Sequence, residues 1–155
     1  MALEIERKFL VANDLWRSGI TGHRRIVDGL VAATGLRKVR VRLLPDRATL
    51  TVKSGRSALA RAEFEYDIPQ DDARELLARH CGGDVLEKVR YDVPYEGFLW
   101  EVDVYAGVLD GIVLAEVELA SADVFVPLPP WAGEEVTDNP TYRKRAMLAA
   151  RRAVT

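Results

Sequence analysis

The chain has 155 residues, 48% of them hydrophobic, enough to bury one core and too few for two ordinary domains, so a single domain over 1–155 is expected. Its formal net charge is −2 although 30% of the residues are charged, so no bulk electrostatic partner is implied and the placement of the charges matters more than their sum. One cysteine, Cys81, and two histidines, His23 and His80, exclude a disulfide framework and a Cys/His zinc site, while the lack of a signal-peptide pattern or of a ~20-residue apolar run leads us to expect a cytoplasmic protein with no membrane partner.

The first element in chain order is LEIERKFLV at 3–11, where charged and apolar residues alternate with the period of a strand. A weaker candidate, RRIVDGLVA, occupies 24–32, followed by strand patterns at 37–44, 48–53 and 61–68. Pro45-Asp46 reads as a hairpin turn. A helix is expected over 71–83, with Asp71 and Asp72 at its positive dipole end, Leu76 and Leu77 buried, and Gly82 or Gly83 ending it. Strands at 87–93 and 99–105 flank a turn at Pro94-Tyr95-Glu96-Gly97, and a last strand covers 114–120. The stretch 126–135 reads as a proline-stiffened connection, and Asn139 with Pro140 opens a C-terminal helix running through 141–152. The fold class is α+β, mainly β, and eight antiparallel strands suit a closed eight-stranded barrel with a few flanking helices.

Charge is sorted by sign within these strands. Residues two apart share a face at about 6.5–7 Å, where like charges repel. Glu4 with Glu6, Glu63 with Glu65, Glu101 with Asp103, and Glu116 with Glu118 are acidic pairs; Lys38, Arg40 and Arg42 form a basic row, and Lys88 with Arg90 another. Lys8 follows the first acidic pair, Arg61 precedes the second, and Lys53 ends a run whose same-face neighbours are Thr49 and Thr51. On any one strand a solvated outer face is the simpler reading. Repeated over seven strands, it favours a barrel with the charged face inward, whose acids hold a cation and whose bases hold a polyanion. The outward apolar face then needs covering by helices or by a second copy of the chain in a homodimer. Carboxylates without His or Cys suit Mg2+ or Mn2+, which shares its coordination with substrate phosphates, and Arg and Lys suit a linear triphosphate.

The opening Glu4-Ile5-Glu6-Arg7-Lys8 matches an ExExK signature, and VRVRL, LTVK, RAEFEYDIP, LEKVRY, WEVDVY, LAEVELA and PLPPWAGEEVT follow in order. In this the whole chain resembles the CYTH family of triphosphate tunnel metalloenzymes, and within it the short bacterial branch containing inorganic triphosphatases. The resemblance implies an eight-stranded tunnel lined by charge and metal-dependent hydrolysis of a linear triphosphate, most simply inorganic tripolyphosphate. It implies that Asp103, Glu116 and Glu118 hold a metal bridging the phosphates, and that Glu4 and Glu6 form a second metal site positioning the attacking water. Lys8, Arg40, Arg42, Lys53, Arg61, Lys88 and Arg90 become substrate-binding bases, with Lys8 and Lys88 close to the chemistry, and Glu63, Glu65 and Glu101 become supporting acids. Two positions depart from the relatives: Asp28-Gly29-Leu30 stands where Gln-Gly-Tyr is common, and Lys144 where Asn is common. The alternatives are adenylyl cyclase activity, hydrolysis of thiamine triphosphate or a nucleotide, and binding of polyphosphate or a nucleotide without turnover.

Nucleic acid is not an expected partner, because Arg37 to Arg42 alternate with Val39 and Val41 as a strand and acids stand nearby. Trp16, Trp100, Trp131 and Cys81 read as packing residues, and no G-x-x-x-x-G-K-[ST], G-x-S-x-G or H-E-x-x-H motif is present.

Overall fold

The computed structural model describes the backbone of residues 2–55 and 60–154 and the side chains of residues 5–55 and 61–152. The strands are β1 (Ala2–Val11), β2 (Gly22–Thr34), β3 (Arg37–Leu43), β4 (Ala48–Gly55), β5 (Ala60–Ile68), β6 (Val85–Tyr95), β7 (Phe98–Ala106), β8 (Val113–Glu118) and β9 (Ala132–Glu135). The helices are α1 (Gln70–Arg79) and α2 (Lys144–Val154). The fold is therefore mainly β with two helices, and no helix among the described residues is long and apolar enough to cross a membrane.

All pairings are antiparallel, and the sheet order is β5-β4-β3-β2-β6-β7-β8-β1-β9. Strand β1 is paired on both edges. One edge meets β8 over residues 6–10, while the other is shared between β5, over residues 2–5, and β9. The ninth strand lies inside the stretch expected to be a mere connection. Prolines 127, 129 and 130 do stiffen the chain before it, but Ala12 N donates to Trp131 O and Val136 N to Lys8 O, which lays residues 132–135 along β1.

Other boundaries moved for local reasons. Strand β6 runs through Pro94, whose missing N–H costs nothing because pairing with β2 has ended at Asp92. The turn that follows is only Glu96-Gly97, both at positive φ, as a two-residue hairpin requires. Helix α1 ends at Arg79, with His80 as its C-cap, short of the glycines. At the C-terminus the Asn139 side chain accepts from Thr141 N as expected, but it caps a single 3-10 turn, Pro140–Tyr142; Arg143 is extended and α2 begins afresh at Lys144.

The apolar face of the sheet is covered from within the chain. Phe9, Trp16, Trp100, Val102, Val117, Val126 and Trp131 form one core under the segment that leads into β9. Ala73 and Cys81, with Leu76 and Leu77, pack α1 against Val41 and its neighbours on β3 and β4. The contact is close enough that a Cβ at Gly29 would stand 2.5 Å from Cys81 Sγ and 2.6 Å from Leu77, so β2 admits no side chain there. A third cluster, Leu86, Tyr105, Leu109 and Leu114 with Met147 and Leu148, seats α2 against the opposite face. Each such side chain adds roughly 1.5–3 kcal/mol of burial, and α2 is placed by that cluster where its first residues reach the charged face.

Candidate active site

A chamber of about 590 Å3 opens on the charged face of the sheet. Of the residues singled out from sequence, Glu6, Lys8, Arg40, Arg42, Lys53, Arg61, Glu63, Glu65, Arg90, Glu101, Glu116 and Glu118 line it. The side chain of Glu4 lies outside the described residues, although its backbone pairs opposite Arg61. Lys88 and Asp103 are not on the chamber surface. They lie behind it, 2% and 0% exposed, with Lys88 Nζ donating to Asp103 Oδ2 at 2.8 Å. Arg90 donates to both Asp103 oxygens at 2.7 and 2.9 Å, so that carboxylate already holds two cations and faces no open space. Asp103, expected among the metal-holding acids, is seated here on Arg90, which β6 and β7 pair directly opposite it.

Register explains how like charges two apart in a strand are tolerated. Across strands many of them meet their opposites: Asp28 faces Arg42, Lys53 faces Glu63, Lys8 faces Glu116 and Arg90 faces Asp103. Other rungs at the chamber set like against like. Glu6 opposes Glu118 and Glu101 opposes Glu116, giving an acidic stretch on β7, β8 and β1; Lys38 opposes Lys53, giving a basic stretch on β3 and β4. Directly opposed like charges destabilise a sheet, so these are the rungs that a cation and an anion would relieve. Arg40 adds a second sign of the same kind. Its Nε is buried with no hydrogen-bond partner among the described residues, a cost of about 1–3 kcal/mol that an anion reorganising this wall would offset.

Burial and neighbours shift the titrating groups strongly. Burial alone would raise the carboxyls of Asp28, Asp103 and Glu116, but the surrounding cations outweigh it: Arg42 at Asp28, Lys88 and Arg90 at Asp103, Lys8 and Arg90 at Glu116. All three stay below the usual carboxylate range, Asp28 and Glu116 well below it. Burial, then Lys88, holds Lys144 well below its ordinary value, against the pull of Asp28. Lys38 is lowered to about 8, first by burial and then by Arg61, Lys53, Arg143 and Lys8. Lys38 is thus charged below about pH 8 and loses its charge as pH rises through that value. The KM for a phosphate chain bound on this wall is therefore expected to rise above about pH 8. A Lys38→Arg variant, whose guanidinium stays charged, should flatten that rise when KM is followed from about pH 6.5 to about 9.5. Identical profiles for the two proteins would remove Lys38 from the binding wall.

Residues 2–152 match the family model of the CYTH domain. The chain belongs to the CYTH family. It is 40% identical over 144 residues to the inorganic triphosphatase of Acetivibrio thermocellus, covering 92% of this chain and 90% of the relative. It is 38% identical over 150 residues to the inorganic triphosphatase of Nitrosomonas europaea, covering 93% and 95%. The crystal structure of the inorganic triphosphatase NE1496 is similar with a TM-score of 0.67 at 35% identity, over 94% of this chain and 97% of that one.

Within this CYTH domain the structure brings further residues to the chamber. Lys38, Asp28, Arg143, Lys144 and Arg145 all line it. Lys38 was legible as the first member of the basic row. Asp28 was not, because the inward face of β2 reads Arg24, Ile26, Asp28, Leu30 and so lacks the uninterrupted charge of the other strands. Arg143 sits in the break before α2, and Lys144 and Arg145 open that helix; the continuous helix expected there would have turned them differently. The two departures from the relatives' pattern meet in space: Lys144 Nζ is 3.8 Å from Asp28 Oδ2.

Proposed function

We propose that this CYTH chain hydrolyses inorganic tripolyphosphate with the help of a divalent cation, Mg2+ or Mn2+. The observation that carries the reading is the chamber's split of like-charge rungs, acids on β7, β8 and β1 and bases on β3 and β4. We propose also that the sheet wraps into a closed eight-stranded tunnel, with β9 added outside the ring. The pairing of β1 with β5, from Ala2↔Glu63 to Ile5↔Ala60, supports this. In such a ring β3 and β4 stand four strands from β8 and β7, so bases and acids face each other across the lumen.

In this reading Arg40, Arg42, Lys53, Arg61, Arg90 and Lys8 receive the phosphate oxygens, and the orphaned donor of Arg40 gains an acceptor. Lys88 and Asp103 hold Arg90 from behind, and Glu63, Glu65 and Glu101 orient neighbouring bases, as the approach of Arg90 to Glu101 at 3.6 Å illustrates. Glu6, Glu116 and Glu118 are the acids that would hold the cation, with Glu4 beside them in sequence. Among the described residues no three acidic, His or Cys side chains form a preformed metal cluster; a Mg2+ ion usually keeps several waters and completes its shell with substrate oxygens. When bound, the ion neutralises phosphate charge and lowers the pKa of an attacking water.

Among the described residues no aromatic ring lines the chamber, so a nucleobase forgoes stacking worth about 1–3 kcal/mol. This disfavours the cyclase and nucleotidase readings. The test is phosphate release from tripolyphosphate, ATP and thiamine triphosphate, each with Mg2+, with Mn2+ and with a chelator. Release should be fastest from tripolyphosphate and vanish with the chelator; release unaffected by the chelator would remove the metal from the reaction.

A further inference from the structure

Asp28 is a buried acid, 4% exposed, set among the bases that receive the substrate in the reading above. Arg42 Nε and Nη2 donate to its two oxygens at 2.7 and 2.9 Å, while Lys88 Nζ and Lys144 Nζ each stand 3.8 Å from Oδ2. A two-point chelate fixes the plane of a guanidinium as well as its position, and leaves its remaining N–H groups a fixed direction. The backbone beside Asp28 is closely packed, since a Cβ added at Gly29 would stand 2.5 Å from Cys81 Sγ and 2.6 Å from Leu77 of α1.

We propose that Asp28 is a positioning residue that orients Arg42 toward a substrate phosphate. The proposal rests on the triphosphate reading and makes a prediction opposite in sign to simple electrostatics. If Asp28 acted only as a charge through space, neutralising it would make the chamber more positive and tighten a polyanion. If it orients Arg42, neutralising it releases the guanidinium and weakens binding despite the gain in positive charge.

The experiment is calorimetric titration of tripolyphosphate into the whole chain in excess chelator, where affinity is read without turnover. Asp28→Asn should bind about tenfold more weakly than the wild type, the lower end of what loss of an orienting partner costs. Asp28→Glu keeps the charge, and so the pairing that folding needs, but moves the chelate by one methylene; it should also weaken binding while its Tm stays within about 5 °C of the wild type. Adding Asp28→Asn to Arg42→Ala should cause no further loss, since the effect runs through Arg42. Unchanged or tighter binding by both Asp28 variants overturns the proposal, and so does an undiminished loss in the Arg42→Ala background. Where the wild type binds tripolyphosphate only with the cation, the same variants are compared by KM with Mg2+; a wild type that neither binds it in chelator nor releases phosphate from it with Mg2+ or Mn2+ overturns the underlying triphosphate reading itself.

Discussion

Turnover of tripolyphosphate by the Glu116→Gln variant is expected to fall by about 10²- to 10³-fold, the range seen when one group that stabilises transition-state charge is removed. Glu116 sits between Glu101 on β7 and Lys8 on β1, in the acidic stretch that would hold the cation, and although largely buried it lines the chamber. The spacing of Glu116 and Glu118 on one strand suggests by itself that neutralising either relieves repulsion and leaves folding intact. The environment argues the reverse for Glu116. Lys8, Arg90, Lys88 and Lys144 together hold its carboxyl well below the usual range, and Arg90 Nη2 is 3.8 Å away, so the variant loses an anion that these cations need. Its Tm should fall modestly while activity falls far more. Rates measured well below the unfolding transition separate the two effects, and near-normal activity there would exclude Glu116 from the cation site.

Asp103→Asn is expected to act mainly on stability, by about 3–5 kcal/mol, because it leaves Lys88 and Arg90 buried without their shared counter-charge. For a chain of this length that corresponds to a fall in Tm on the order of 10 °C. The same logic sets the response to acid. The carboxyls of Asp28, Asp103 and Glu116 titrate lower in the folded chain than in the unfolded one, where they ionise near pH 4. Their contribution is therefore present above about pH 4 and is lost as pH falls through the folded-state values. The Asn variant should have a lower Tm at neutral pH and a shallower decline between about pH 5 and about pH 2. A Tm unchanged from the wild type would mean that Asp103 is not the anchor its geometry describes.

Much of this architecture was legible in the alternation of charged and apolar residues, since each run has a single face of one character and the register then has little freedom to slip. That parity puts Arg40, Glu63 and Glu118 on one charged face, and all three line the chamber. What the pattern concealed depended on pairing between distant strands. Nothing local to Asp103 says that Arg90 and Lys88 will claim both its oxygens, and nothing local to Asp28 says that Arg42 will chelate it. Strand β9 was hidden for a different reason: its four residues, Ala-Gly-Glu-Glu, carry no strand period, and only the free edge of β1 gives them one. The α2 boundary failed because Asn139 and Pro140 make a true helix-start signal that here serves a single turn.

A chamber of bases and acids is expected to select a linear chain of phosphates by its charge rather than by anything attached to it. The most direct measurement is kcat/KM for tripolyphosphate and for ATP at matched free Mg2+. At least about a tenfold preference for tripolyphosphate is expected, since ATP exchanges a terminal phosphate oxygen for a nucleoside that finds no ring to stack on among the described residues lining the chamber. A clear preference for ATP would contradict it.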